Sequence, residues 1–162
     1  GLKTLLIECD LRRSTFAARF GVEDRGGLTL WLAGIESTPP TPHFVRSGLS
    51  VILSGPPTPN PVALLHSDRM RTLLSDAQKA FQFVILDAPP VIGLADARVL
   101  APIADGVIVV IRAGATQKPS ISRACVLLES AGANVLGTVL NGAEMDEVSS
   151  YYYRDYFART AG

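Results

Sequence analysis

The sequence predicts an α/β fold: a doubly wound, mostly parallel sheet flanked by helices. Three observations support this prediction. Five short apolar segments recur along the chain, helical segments lie between them, and residues 83–86 (FVIL) lack the alternation of a half-exposed strand. Strands that alternate with helices imply right-handed crossover connections, and therefore parallel pairing.

The five predicted strands are short and apolar, and most are rich in β-branched residues, which suit pleated and buried positions. They are residues 4–8, 49–53, 83–86, 106–111 and 135–140. The continuous apolar run at 83–86 favours a strand that is buried on both faces. Residues 34–48 and 54–61 are rich in Pro, Ser and Thr, so we expect surface loops there.

Helix signals lie between the predicted strands. Asn60 followed by Pro61 is typical of a helix start, and Ser67 is expected to cap a second helix. A third helix is predicted over 117–131, with Gly132 as its left-handed cap. Apolar residues at helical spacing predict the buried face of the second helix: Met70, Leu73, Leu74 and Ala77.

The bulk composition indicates one globular domain. The chain has 162 residues, of which 48% are apolar and 19% charged. Lys plus Arg equals Asp plus Glu, at 15 each, so no net charge favours nucleic acid or an anionic membrane surface. Cys9 and Cys125 are expected to be free thiols in a reducing compartment. No apolar run approaches the roughly 20 residues of a membrane-spanning helix.

Three carboxylates follow predicted strands. Asp87 ends the strand at 83–86, and Pro89 and Pro90 then prevent further pairing. Glu8 and Asp10 lie at the end of the first strand and alternate in sequence. Ligands bind beyond the carboxyl ends of parallel strands, and Mg²⁺ prefers oxygen ligands, so the cluster indicates a magnesium and phosphate site. The alternatives are that Asp87 begins a turn, and that the other two acids solvate a strand end or cap the next helix.

All the tyrosines of the chain lie within residues 151–156: Tyr151, Tyr152, Tyr153 and Tyr156. The surrounding tail is polar. Clustered aromatic residues could pack on a partner or a membrane interface. The alternative is a flexible tail whose tyrosines accept phosphate, each adding roughly −1.5 to −2 of charge.

Four segments taken in order resemble one known family. They are LLIECDLRRS, GLSVILSGPPTPNPVALL, FVILDAPPVIGLADARVLAPIADGVIVVIRAGAT and VLGTVLNG, and the tyrosine cluster follows them. Together they resemble the cytoplasmic domain of the bacterial tyrosine kinases of capsule and exopolysaccharide assembly, within the MinD/ParA-type deviant-Walker ATPases. The resemblance implies ATP and Mg²⁺ as cofactors.

The resemblance also implies roles at matching positions. Asp87 matches the Walker B acid, and Glu8 and Asp10 match the two acids of the Walker A′ element. Asp10 is then the general base for the acceptor tyrosine and helps to place Mg²⁺. Asn141 matches a position near the nucleotide base, where an amide can pair with an adenine edge; the alternative is that it caps a turn. The terminal tyrosines become phosphate acceptors.

The sequence departs from the family pattern at two points, and each leads to a prediction. Glu8 stands where the family usually has Asp, and its extra methylene displaces the carboxylate from a metal that demands strict geometry. No G-x-x-x-x-G-K-[ST] motif occurs in the sequence. We therefore expect residues 1–145 to form a kinase-like domain without its first strand and phosphate loop, followed by the tail at 146–162. Such a polypeptide alone is expected not to turn over ATP.

The predicted function is a protein-tyrosine autokinase that regulates exopolysaccharide chain length or export. The resemblance implies a cytoplasmic domain held at the inner membrane by a fused or separate adaptor, and a ring of identical subunits. The balanced charge argues against a nucleic-acid partner. Two alternatives stay open. One is a partition-type or site-selection ATPase, and the other is a non-catalytic interaction module of polysaccharide assembly.

Overall fold

The structure is a computed structural model, and it describes residues 1–23 and 26–143. Its strands are β1 (Thr4–Glu8), β2 (His43–Arg46), β3 (Leu49–Ile52), β4 (Phe83–Asp87), β5 (Val107–Arg112) and β6 (Val135–Asn141). Its helices are α1 (Phe16–Phe20), α2 (Leu28–Leu32), α3 (Pro61–Leu65), α4 (Asp68–Ala80), α5 (Asp96–Leu100) and α6 (Lys118–Ser130), and a 3₁₀ turn spans Ala101–Ile103.

The mostly parallel sheet predicted from the sequence is confirmed. Strands β3, β1 and β4 pair in parallel in that order, and β5 pairs in parallel with β6. Hydrogen bonding divides the described strands into two sheets, one of four strands and one of two. The four-stranded sheet has β2 at one edge and β4 at the other. All five predicted strands occur, with boundaries within one residue of the prediction.

Strand β2 was not predicted, because the segment 34–48 has the composition of a loop. In the structure His43–Arg46 runs antiparallel to β3. Gly48, at φ 82°, reverses the chain between the two strands, and its carbonyl accepts a hydrogen bond from Thr4 N at 2.7 Å. An edge strand of four residues with one irregular pairing carries too little periodicity to be recognised from sequence.

The prediction that β4 is buried on both faces is wrong. Val84 and Leu86 pack against the main core, but Phe83 is 53% exposed and Ile85 is 50% exposed. A continuous apolar run shows only that both faces of a strand are suited to burial. Whether a face is in fact buried depends on whether another element covers it. The same alternation of half-buried and exposed positions occurs in β5.

The main core lies between β1 and the helices that flank it. Leu5 and Ile7 of β1 are buried there with Leu28 and Trp31 of α2. The predicted face of α4 is confirmed: Met70, Leu73, Leu74 and Ala77 are all buried in this core. The prediction for Ser67 also holds, since its Oγ accepts a hydrogen bond from Met70 N at 3.3 Å and caps α4.

Helix α6 and its cap also follow the sequence signals. Lys118–Ser130 is helical, and Gly132 takes a left-handed φ of 85° just beyond its end. Gly132 N and Ala133 N donate to the carbonyls of Glu129 and Leu128, which satisfies acceptors in the last turn. None of the helices in the described part of the chain is long and apolar enough to cross a membrane.

Candidate active site

Strands β1 and β4 bring Glu8 and Asp87 together. The two residues are register partners at the carboxyl ends of adjacent parallel strands. The pairing continues one step further, because Cys9 N donates to the Asp87 carbonyl at 2.9 Å. Asp10 follows directly, so the three carboxylates predicted from the sequence share one edge of the sheet.

Cys9 lies between these acids as a neutral, inert group. It is completely buried and free, as expected, and Cys125 is free and half-buried. Burial, together with the negative charges of Asp87 and Glu8, raises the pKa of the Cys9 thiol far above its usual value. Since the thiolate is the reactive form, Cys9 acts here as core packing.

The Glu8 side chain turns inward and is only 1% exposed. Its oxygens accept hydrogen bonds from Ser14, Thr15 and Phe16 at the start of α1, and from Ser54 beyond β3. Burial alone raises the pKa of this carboxyl, but the backbone donors Thr15, Ser54 and Phe16 outweigh it, and the net pKa is lowered. Glu8 is therefore an ionised carboxylate inside the fold.

Asp10 is half-buried and organises the turn that follows it. Its Oδ1 accepts hydrogen bonds from Arg12 N at 3.0 Å and from Arg13 N at 3.1 Å. The alternative that Asp10 caps the next helix is wrong, because α1 begins only at Phe16 and Thr15 holds its N-cap position. The turn fixes one oxygen of Asp10. Its Oδ2 accepts no hydrogen bond from residues 1–23 or 26–143 and is available for chemistry.

Asp87 is exposed, and neither of its side-chain oxygens has a hydrogen-bond partner within the described residues. Partial burial and the nearby Glu8 raise the pKa of its carboxyl, Arg19 on α1 partly offsets this, and Asp10 raises it further. An exposed carboxylate crowded by two other acids gains most from a bound cation. Both Asp87 and the Oδ2 of Asp10 therefore fit the chemistry of magnesium, whose ligands are oxygens.

Asn141 belongs to the other sheet. Asn141 is the last residue of β6, exposed and paired in register with Arg112 of the two-stranded sheet. Its carbonyl accepts from Ala113 N at 2.9 Å. The four tyrosines lie outside the described residues. Within the described ranges, no group of three or more His, Cys, Asp or Glu side chains is arranged to hold a metal ion.

Sequence reasoning missed the residues that hold this edge in place. Asp96, at the start of α5, is fully buried and accepts hydrogen bonds from Arg12. Ser54 donates to Glu8 through both its backbone N and its Oγ, each at 3.0 Å. Ser54 could have been predicted, because a polar residue just after a buried strand is well placed to reach a site at the strand end. The 84 positions that separate Arg12 from Asp96 left no local signal for that pair.

Known proteins resemble the chain in sequence. No family model matches it. The tyrosine-protein kinase YwqD of Bacillus subtilis is 37% identical over 154 residues, which cover 94% of this chain and 65% of YwqD. The putative tyrosine-protein kinase CapB of Staphylococcus aureus is 34% identical over 154 residues, which cover 94% of this chain and 68% of CapB. The chain thus spans just under two thirds of the first relative and just over two thirds of the second.

Solved structures of bacterial tyrosine kinase domains also resemble the chain. The kinase domain of the Escherichia coli tyrosine kinase Etk superimposes with a TM-score of 0.84 and 35% identity, covering 90% of this chain and 58% of that structure. The VpsO kinase domain gives a TM-score of 0.80 and 34% identity, covering 88% of this chain and 71% of the VpsO chain. The cell-division ATPase MinD of Pyrococcus furiosus, at a TM-score of 0.68 and 19% identity, shares the fold. On the strength of these similarities in sequence and fold, the chain belongs to the bacterial tyrosine-protein kinase family.

Proposed function

We propose that this chain is part of an ATP-dependent protein-tyrosine autokinase that regulates the chain length or export of an exopolysaccharide. The observation that carries the proposal is the register pairing of Glu8 with Asp87, followed directly by Asp10, at the carboxyl edge of a parallel sheet. Parallel α/β sheets bind ligands at that edge. Membership of the tyrosine kinase family gives the reaction class.

In the proposed reaction Asp10 is the general base. Its unoccupied Oδ2 takes the proton of a tyrosine hydroxyl, the phenolic oxygen bonds to the γ-phosphorus of ATP, and the bond from that phosphorus to the leaving ADP oxygen breaks. Asp87 would hold Mg²⁺, which would neutralise the charge of the phosphates. Asp10 would help to place the ion with one lone pair of Oδ2, and the other lone pair would remain to take the proton. Asn141 at the end of β6 would face the adenine. The acceptors would be Tyr151, Tyr152, Tyr153 and Tyr156 of a neighbouring subunit.

The phosphate-binding loop is proposed to come from a segment that these 162 residues do not include. Two features support this. The sequence contains no G-x-x-x-x-G-K-[ST] motif. Among the described strands, β4 pairs only with β1, and β5 pairs only with β6, so each presents one unpaired edge. A strand in that segment would satisfy those edges, and a helix following it would cover the face that bears Phe83 and Ile85.

The partners follow from the same proposal. A membrane adaptor, fused or separate, would hold this domain at the cytoplasmic face of the inner membrane, and identical subunits would form a ring. Phosphate on several tail tyrosines would add negative charges that repel one another. Ring dissociation on phosphorylation would then couple the kinase cycle to polysaccharide assembly.

The decisive experiment uses the product of the complete gene, incubated with Mg·ATP and probed for phosphotyrosine. Asp10→Asn should abolish the signal, and replacing the four tail tyrosines with Phe should abolish it with the base intact. Asp105→Asn, an exposed acid elsewhere on the surface, is the matched control and should leave the signal unchanged. ATP hydrolysis without phosphotyrosine would instead indicate a partition-type ATPase, and neither activity would indicate a non-catalytic module.

A further inference from the structure

The carboxylate of Glu8 is fully occupied by hydrogen bonds from the chain itself. Oε1 accepts from the backbone N and the Oγ1 of Thr15 and from Phe16 N at 2.9 Å. Oε2 accepts from Ser14 Oγ, Ser54 N and Ser54 Oγ, each at 3.0 Å. A carboxylate offers about four lone-pair directions. Six donors therefore leave none of them aimed at a metal.

Direct coordination by Glu8 would break this network. A magnesium ligand must direct a lone pair at the ion, and a water-mediated contact also needs a lone pair. Either contact would displace at least one donor from a carboxylate that is only 1% exposed. Phe16 N and Ser54 N are buried as well, and a buried N–H without an acceptor is costly. Asp87 and the Oδ2 of Asp10 accept no hydrogen bond from the described residues, so a cation can bind them without displacing a donor.

The network joins three segments around the proposed base. Glu8 ends β1, its Oε1 partners form the first residues of α1, and Ser54 follows β3. Asp10 lies on the connection between β1 and α1, so both ends of that connection meet at the Glu8 carboxylate. The length of the Glu side chain suits this task, because the carboxylate must reach from β1 to both α1 and Ser54.

We propose that Glu8 is a positioning residue that fixes the Asp10 connection, and that it does not bind magnesium. This inference deepens the proposed function and rests on it for the role of Asp10. The inference gives a structural reason for Glu8 at the Walker A′ position where the family usually has Asp: the longer side chain reaches the donors on α1 and at Ser54. The hydrogen bonds, and not a metal, then keep the Glu8 carboxylate ionised inside the fold.

The test compares Glu8→Gln with Asp87→Asn in the product of the complete gene. Autophosphorylation is measured across a magnesium titration, and the denaturation midpoint is measured without nucleotide. Glu8→Gln would turn an amide NH₂ toward existing donors, so we expect a lower midpoint and weaker activity at every magnesium concentration. The half-saturating magnesium concentration should rise much less in Glu8→Gln than in Asp87→Asn, because Glu8→Gln only loosens the connection that carries Asp10. Asp87→Asn removes a ligand outright, and we expect it to raise that concentration by at least about tenfold, the scale on which even indirect partners of a metal ligand act.

Ser54→Ala is the second variant, for the case in which Glu8→Gln does not fold. It removes one side-chain donor and leaves the backbone N of residue 54 in place. We expect a lower midpoint, and a half-saturating magnesium concentration that changes far less than it does in Asp87→Asn. A Glu8→Gln protein of unchanged midpoint whose magnesium requirement rises with that of Asp87→Asn would overturn the inference. So would a Ser54→Ala protein of unchanged midpoint. Should the parent show no kinase activity, the proposed function fails, while the midpoints still decide whether Glu8 stabilises this connection.

Discussion

Arg12 binds Asp96 through two nitrogens. Its Nε and Nη2 donate to Oδ1 and Oδ2 at 3.2 and 3.3 Å, in the forked geometry that favours Arg over Lys. The carboxylate is completely buried, whereas the Arg12 side chain is 38% exposed. The pair ties the turn that carries Asp10 to the start of α5, which follows β4 and Asp87. It therefore links the two acidic strand ends from outside the site.

Arg12→Ala should destabilise the fold by about 3 kcal/mol, because it leaves a buried carboxylate without its cation. This is the low end for a buried pair, since the Arg12 side chain is partly exposed. Arg12→Lys should recover only part of this loss, since an ammonium cannot make both hydrogen bonds at once. Denaturant unfolding measures both variants.

The control is Arg71→Ala. Arg71 pairs with Asp68 on α4, but their side chains are 48% and 99% exposed, so the loss should be below about 1 kcal/mol. Equal losses for Arg12→Ala and Arg71→Ala would contradict a special role for the Arg12–Asp96 pair.

Asp87→Asn should raise the thermal midpoint at neutral pH in the presence of a chelator. The pKa of Asp87 is raised by partial burial and by Glu8, so the folded state holds its proton more tightly than the unfolded state does. The charge therefore disfavours folding above the folded pKa. This penalty fades as the pH falls through that pKa, and it is gone below the ordinary value of 3.8.

The gain from Asp87→Asn should accordingly be largest near pH 7 and should vanish in acid. Asp105→Asn, which removes an exposed acid far along the chain from this edge, supplies the baseline. Magnesium should reverse the order of stability, because it binds the native Asp87 and not the amide. If the stability gain of Asp87→Asn instead grew as the pH falls, the pKa of Asp87 would not be raised in the folded state, and the prediction would be wrong.

Gly55→Ala should be severely destabilising. Gly55 has φ 79°, and a Cβ there would lie 2.0 Å from the carbonyl oxygen of Gly26, a backbone atom that cannot rotate away. Gly93→Ala is the matched control, because Gly93 has a similar φ of 88° and open space around its Cβ position. The control should lose roughly 1–2 kcal/mol from backbone strain alone. Gly55→Ala should lose clearly more in denaturant unfolding, and equal losses would contradict the close approach.

Local sequence signals predicted a feature correctly where the residues that determine it all lie in one short segment. The cap at Ser67, the buried face of α4 and the left-handed Gly132 depend on residues within one or two turns, and all three are confirmed. Strand β2 and the exposure of Phe83 were missed. Both depend on what lies beside the segment, which its own residues do not record.

By itself, the sequence determined the α/β class, the strand positions and the acidic ends of β1 and β4, because period, composition and strand length are local properties. The tertiary structure decided what each acid does. Strand register set Glu8 beside Asp87. Hydrogen bonds from Ser54 and from the start of α1 turned Glu8 inward, while Asp87 remained partly exposed. Two carboxylates in similar sequence settings acquire different roles because hydrogen-bond donors reach only one of them.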